Sequence, residues 1–409
     1  MVSKDIQPLT LPNNDSEQPN ATVPSVVVTL LPIMAAVFVG FLVTGMAMPV
    51  LPLHVHEGLG LGAFVVGLVA GAQFTASLLS RFWSGHYADS RGGKRAVIAG
   101  LLIAAASGLL YLLSLRFVSA PVTSVTILLL GRAVLGGAES CIITGALSWG
   151  LAIGGGQNTG KVIAWIGTAL YVAFAIGAPA GSALYASYGF AAVALATTLI
   201  PLATVLLVMP RRPLIPPVQA RASFTRVVGA VWVPGIGMAL SSIGFGAITT
   251  FVVLLFAQRG WGLAWLAFTL FAAAFIVARL LFGHLPDRVG GAKVALVSAL
   301  IEAAGLALIW LAHWPGMALL GATITGFGYS LVYPGFGVEA VRRAPAQSRG
   351  LAMGAYSAFL DLTLGLANPA LGLVASGVSL NAVFLISALV VICSAAIAVR
   401  LLNARPDIA

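Results

Sequence analysis

Charge is what this chain has least of. Asp, Glu, Lys and Arg make up 8% of its 409 residues, against 60% hydrophobic residues and a mean hydropathy of +1.04. A soluble domain carries about 25% charge because its solvated faces must be polar, so water is not the main solvent of this chain and a soluble enzyme or binding module is excluded. Acidic residues are scarcer than basic ones, 11 against 21. Cysteine is nearly missing. Cys141 and Cys393 lie singly in apolar stretches without metal-ligand spacing, so neither disulfides nor a zinc site is expected, and no metal is assigned. The five histidines do not converge with a serine or a second base, which leaves no catalytic constellation and argues against an enzyme.

What is abundant is long apolar runs. At about 20 residues per crossing, they read as twelve spans near 26–52, 61–84, 95–115, 122–149, 160–186, 190–209, 229–258, 262–285, 292–312, 315–341, 348–376 and 380–403. The one long interior polar break runs from Pro210 to Arg226. The organisation this predicts is an all-α membrane protein. It has a disordered tail over 1–24, a six-helix bundle over 25–209, a linker over 210–228, a second six-helix bundle over 229–403 and a short tail over 404–409. The proline- and asparagine-rich start is not a signal peptide, because the first apolar run is long enough to stay in the membrane.

A net charge of +10 would point to nucleic acid in a soluble protein, but here the positions of the cations decide. Arg91, Lys94, Arg95, Lys161, Arg211, Arg212, Arg221, Arg226, Arg288, Lys293, Arg342, Arg343, Arg349, Arg400 and Arg405 fall on one side of the twelve spans; Arg116 and Arg259 fall on the other. That bias is the positive-inside pattern. It places both termini and the central linker in the cytoplasm, and it names a lipid bilayer, not nucleic acid, as the partner.

The chain repeats itself. A shift of 198 superimposes Arg81, Gly85, His86, Asp89, Gly92 and Gly93 on Arg279, Gly283, His284, Asp287, Gly290 and Gly291, six identities in thirteen positions. A shift of 190 superimposes Gly131, Gly136 and Ser140 on Gly321, Gly326 and Ser330, and Gly160 and Pro179 on Gly350 and Pro369. Two copies with an even number of spans each are parallel repeats, which bind substrate between them near mid-membrane.

Three segments carry a resemblance to a known family. Gly85-His86-Tyr87-Ala88-Asp89-Ser90-Arg91-Gly92-Gly93-Lys94-Arg95, repeated at Gly283 to Lys293, resembles the signature loop between the second and third helices of the major facilitator superfamily. Gly131-Arg132-Ala133-Val134-Leu135-Gly136-Gly137-Ala138-Glu139 is similar to that family's fourth-helix motif. Pro49-Val50-Leu51-Pro52 resembles the first-helix signature of its twelve-helix drug/proton antiporters. Gly177-Ala178-Pro179-Ala180-Gly181 matches the exporter motif of the fifth helix only in part, since Ala178 interrupts the Gly-Pro pair. Within the superfamily the chain is most similar to the YhhS/YfcJ-like bacterial exporters. The resemblance implies the major facilitator fold, a multi-pass protein of the inner membrane, and a cytoplasmic conformational latch at Gly85, Asp89, Arg95, Gly283, Asp287 and Lys293.

Ionisable residues inside apolar spans usually face a cavity. Arg132 and Glu139 are seven apart and point the same way on one helix; Asp361 and Glu302 also lie mid-span. A carboxyl held away from water can take and release a proton near physiological pH. Glu139 is therefore the first candidate for proton coupling and Asp361 the second, with Arg132 beside Glu139. The other account of Glu139 is a structural ion pair with Arg132, and Glu302 is read as structural. Gln73, Trp149, Tyr329, Tyr333, Tyr356 and Asn368 are the candidates for a substrate cavity, although aromatic residues also serve packing and interfacial belts.

Two near misses remain. Gly155 to Val162 matches a nucleotide-binding loop up to Lys161, but Val162 replaces the hydroxyl that would hold magnesium. His54, His56 and Glu57 cluster at the end of the first span and read as a solvated loop. The expectation is a monomeric secondary transporter that moves a small molecule by alternating access, as a proton-coupled exporter with the proton as coupling ion and no other cofactor. A proton-coupled importer of a sugar or other metabolite would use the same parts.

Overall fold

The computed structural model describes residues 26–154, 159–211, 224–344 and 349–403. The expected tails, most of the linker, Gly155 to Asn158, Arg212, Arg221 and Arg405 lie outside these.

The described chain is almost entirely helical, as a lipid-embedded backbone must be if every N–H and C=O is to be bonded. Its helices are α1 (Val26–Leu53), α2 (Ala63–Arg91), α3 (Gly93–Ser114), α4 (Pro121–Gly154), α5 (Thr159–Val208), α6 (Phe224–Gln258), α7 (Ala264–Phe282), the short α8 (Leu285–Val289), α9 (Gly291–Trp310), α10 (Pro315–Arg343), α11 (Arg349–Gly377) and α12 (Leu380–Asn403). Eleven of them are long and apolar enough to cross a bilayer. The span Trp165–Val208 has 44 residues, about 66 Å at 1.5 Å per residue, roughly twice a bilayer core of about 30 Å. It is broken at Gly189, whose φ of 72° and ψ of −172° reverse the chain. A side chain there would be strained and glycine is not. The result is twelve crossings in two sets of six.

Side chains such as Leu79, Phe82, Leu206, Leu280 and Leu366 point outward and are exposed, as lipid contact requires. Small residues let helices approach inside. Gly177 and Gly181 of the partial exporter motif place α5 directly against the backbone of α1 at Leu42 and Met46.

The repeat is visible in atomic detail. Gly92 and Gly290, one shift apart, end their helices with φ/ψ of 90°/147° and 102°/137°. Ser140 donates from Oγ to the Ser77 carbonyl at 2.7 Å, and its counterpart Ser330 donates to the Phe275 carbonyl at 2.8 Å. Gly136 meets the Gln73 carbonyl just as Gly326 meets that of Phe271.

The halves meet along α2 with α11, α5 with α7, and α1 with α6. The first seam starts at Phe64, whose N–H donates to Ser376 Oγ at 3.2 Å. It runs down through Gly67, Gly71, Gly365 and Gly372; a methyl on Gly71 would lie 2.8 Å from the Gly365 carbonyl oxygen. It ends near Arg81. Beyond that point a carbon added at Gly85 of α2 would meet nothing within 4 Å, so the last turns of α2 leave the partner half. The seam therefore seals the face opposite the basic loops.

Candidate functional site

The inner end of this seam holds an ion pair between the halves. Arg81 on α2 donates from Nε to Asp361 Oδ2 on α11 at 2.6 Å, with Nη2 at 2.5 Å from the same oxygen. Ser77, one turn above Arg81, donates to that oxygen at 3.3 Å. Asp361 is 4% exposed, so its charge is satisfied by these partners and not by water.

Ser77 also links Asp361 to the helix that carries the first candidate carboxylate, Glu139. Its Oγ lies 3.3 Å from Ser140 Oγ on α4, and Ser140 follows Glu139 in sequence. Glu139 Oε1 accepts from Thr44 Oγ1 of α1 at 2.7 Å and from Gln73 Nε2 of α2 at 2.6 Å. Glu139 and Asp361 lie within electrostatic reach of each other. The two carboxylates thus belong to one polar cluster that draws on α1, α2, α4 and α11.

Arg132 does not form the ion pair with Glu139 that its spacing allows. Seven residues span two turns, about 10.5 Å along the axis, and the guanidinium points instead into a small pocket with Met48, Pro52, Phe74, Thr249 and Thr250. Its Nε and Nη1 are buried with no hydrogen-bond partner among the described residues. Glu302 is held within the second half, where Ser241 of α6 donates to Oε2 and Gly244 leaves room for Oε1.

The second half carries an aromatic version of the same site. The counterparts of Gln73, Ser77 and Glu139 are Phe271, Phe275 and Tyr329, and the shift of 190 puts Tyr171 of α5 at the place of Asp361. Tyr171 stacks on Phe275 with centroids 3.7 Å apart, and Tyr329 packs between Phe245 and Phe275. Arg279, the counterpart of Arg81, sits with Cζ 5.3 Å from the centre of the Phe275 ring.

The other sequence candidates divide. Tyr333 and Tyr356 of α10 and α11 come together, rings 5.1 Å apart; Tyr333 OH and Ser357 Oγ lie 2.7 Å apart, and Tyr356 OH donates to the Tyr333 carbonyl at 2.8 Å. Gln73 is part of the carboxylate cluster. Asn368 is fully buried where α11 meets α2 and α6, beside Gly67 and Gly246, and its amide has no partner among the described residues. Trp149 is buried beside Gly93 at the α3–α4 contact, away from the seam. His54 stacks on Phe190 at 4.1 Å, while His56 Nδ1 lies 2.8 Å from the Leu61 carbonyl oxygen.

The loop residues Gly85, Asp89, Arg95, Gly283, Asp287 and Lys293 lie at the basic face. Asp89, Arg95, Asp287 and Lys293 are exposed, and nothing crowds Gly85. Among the described residues no ion pair joins Arg95, Asp287 or Lys293 to the other half. Lys94 instead donates from Nζ to the Met209 carbonyl at 2.6 Å and to that of Arg211, tying the loop to the end of α5.

Sequence reasoning aligned Arg81 with Arg279 but gave neither a role, and it passed over Ser77, Tyr171 and Ser357. The shift of 190 alone pairs Asp361 with Tyr171; only the packing of α2 on α11 shows which arginine the carboxylate meets.

Two pseudo-symmetric bundles of six membrane helices, joined along paired seams with ionisable groups at mid-membrane, define a multi-pass membrane transporter. The Major Facilitator Superfamily profile matches residues 33–268 and 235–408, and the chain belongs to that superfamily. An uncharacterized MFS-type transporter of Salmonella typhimurium is 44% identical over 385 residues, covering 94% of this chain and 99% of its own. The uncharacterized MFS-type transporter YhhS of Escherichia coli is 40% identical over 374 residues, covering 90% and 91%. Among solved structures, the nucleoside transporter NupG superimposes with a TM-score of 0.68 at 16% identity, over 92% of this chain and 99% of NupG, a likeness of fold.

Proposed function

We propose that this transporter exports a small molecule across the bacterial inner membrane in exchange for protons, by alternating access, with its basic face in the cytoplasm. The observation that carries the reading is the Arg81–Asp361 pair, which spans the two halves at the inner end of the closed seam and connects through Ser77 and Ser140 to the Glu139 cluster. The cation bias supports the orientation. The likeness of Pro49 to Pro52 to the antiporter signature supports export.

The mechanism follows from the pair. With the outer seam closed, Arg81 holds Asp361 as a carboxylate. Opening the seam separates α2 from α11, and a lone carboxylate at that depth is costly until it takes a proton, here from the outer side. Closure brings Arg81 back and expels the proton toward the basic face. A proton drives a conformational change only if its affinity differs between the two states, and the making and breaking of this pair supplies that difference. Glu139, within electrostatic reach of Asp361, shares the role.

The test is lumenal pH in everted vesicles with a preset proton gradient, a panel of candidate substrates, and wild type beside Glu139→Gln and Asp361→Asn. Substrate-triggered proton release from the lumen by wild type, lost in either variant, is the expected result. Release that survives in both variants overturns the assignment of the carboxylates, and proton uptake in place of release makes the protein an importer.

A further inference from the structure

The repeat leaves one arginine without the partner its twin has. Arg81 is matched by Asp361, whereas Arg279 faces Tyr171 at the corresponding place. Arg279 is only half-buried, and its guanidinium has no hydrogen bond or ion pair among the described residues. Its compensation is the face of Phe275, and a cation–π contact of this kind contributes about 0.5–2 kcal/mol.

The surroundings suit an anion better than a cation. Asp361 is taken by Arg81, Glu139 by Thr44 and Gln73, and Glu302 by Ser241. Tyr171 and Tyr333 both lie within electrostatic reach of Arg279, and Tyr333 is also within reach of Arg81 and Asp361. The half-buried ring of Tyr171, stacked on Phe275, offers an apolar surface beside the guanidinium.

We infer that this side of the transporter binds the carboxylate of a small organic anion with an aromatic or otherwise flat apolar body, with Arg279 as its counter-ion. The ligand's carboxylate pairs with Arg279 as Asp361 pairs with Arg81. The first-half site then handles the proton and the second-half site the substrate, and Tyr333 lies between them. The inference rests on the transporter reading above and adds the substrate class.

The experiment uses the full-length protein in lipid nanodiscs, with thermal unfolding as the readout at fixed pH. The probes are 3-phenylpropionate and its matched amide and amine, 3-phenylpropionamide and 3-phenylpropylamine. The acid is expected to stabilise wild type, and the amide and amine are not. Arg279→Gln should weaken the acid's apparent affinity at least tenfold, and Arg279→Lys by a smaller factor because it keeps the charge. Tyr171→Asp, which keeps Arg279 and supplies an internal carboxylate, should abolish the response. Stabilisation by the amine or amide equal to that by the acid, an undiminished response in Arg279→Gln, or no response to the acid in wild type overturns the inference. The proton-release experiment depends on none of these probes and judges the underlying reading separately.

Discussion

Arg81 of the first half and Asp361 of the second pair at 2.5 Å, and the residue that the internal repeat places in register with Asp361 is Tyr171, stacked on Phe275 beside the unpaired Arg279. Two copies of one bundle have kept the arginine and the serine at Ser140 and Ser330, and exchanged the polar side chains for aromatic ones. Ser77, Gln73 and Glu139 gather polar atoms on one side; Phe275, Phe271 and Tyr329 gather aromatic rings on the other. Identical backbone contacts, Ser140 to Ser77 and Ser330 to Phe275, hold the two versions in the same frame.

The pair should bias the conformational equilibrium, because it exists only when the α2–α11 seam is closed. Spin labels at Phe64→Cys and Ser376→Cys, in a background without Cys141 and Cys393, report the seam directly. In Asp361→Asn the short-distance population should fall relative to the long one by about tenfold, which corresponds to about 1.4 kcal/mol. An unchanged distribution would show that the pair adds nothing to closure.

Most of this architecture was legible in the sequence, for physical reasons. A bilayer demands long apolar runs, so the spans show in composition. The repeat shows because glycines at tight approaches, such as Gly136 and Gly326, tolerate no replacement without moving a backbone. Pairing was harder to read. The spacing of Arg132 and Glu139 correctly puts them on one face, but two turns of rise keep them apart, and Arg132 points at Thr249 and Thr250 of the other half. Asp361 carries no sequence mark of its partner, since Arg81 is 280 positions away.

Glycine packing along the same seam gives a second prediction. A methyl at Gly67 would strike the Asn368 carbonyl, so Gly67→Ala should widen the Phe64–Ser376 distance as Asp361→Asn does, without altering any charge. Gly137→Ala is the control, because nothing lies within 4 Å of its added carbon. If both variants leave the distances alike, the seam accommodates the methyl and is not close-packed in solution.

Glu302 separates a buried carboxylate from a coupling one. It contacts only its own half, through Ser241 and the space at Gly244, and no motion between the halves changes its partners. Glu302→Gln should therefore retain substrate-triggered proton release in everted vesicles. Stability should change by no more than about 1 kcal/mol, since the amide oxygen can still accept from Ser241. Loss of proton release in this variant with the fold intact would move the coupling site into the second half.

The pH dependence of the seam has a definite sign. Arg81 favours the ionised form of Asp361, so the closed conformation holds a proton there less tightly than one in which α2 and α11 have parted. By linkage, acidification favours the conformation that binds the proton. The closed population, read from the spin-label distances, should therefore fall as the pH is lowered. One proton limits the change in the ratio of the two states to about tenfold per pH unit. In Asp361→Asn the slope should flatten. If it flattens only in Glu139→Gln, the proton is carried by Glu139 and the Arg81 pair is a fixed lock; if it survives in both, a group outside this cluster titrates with the seam.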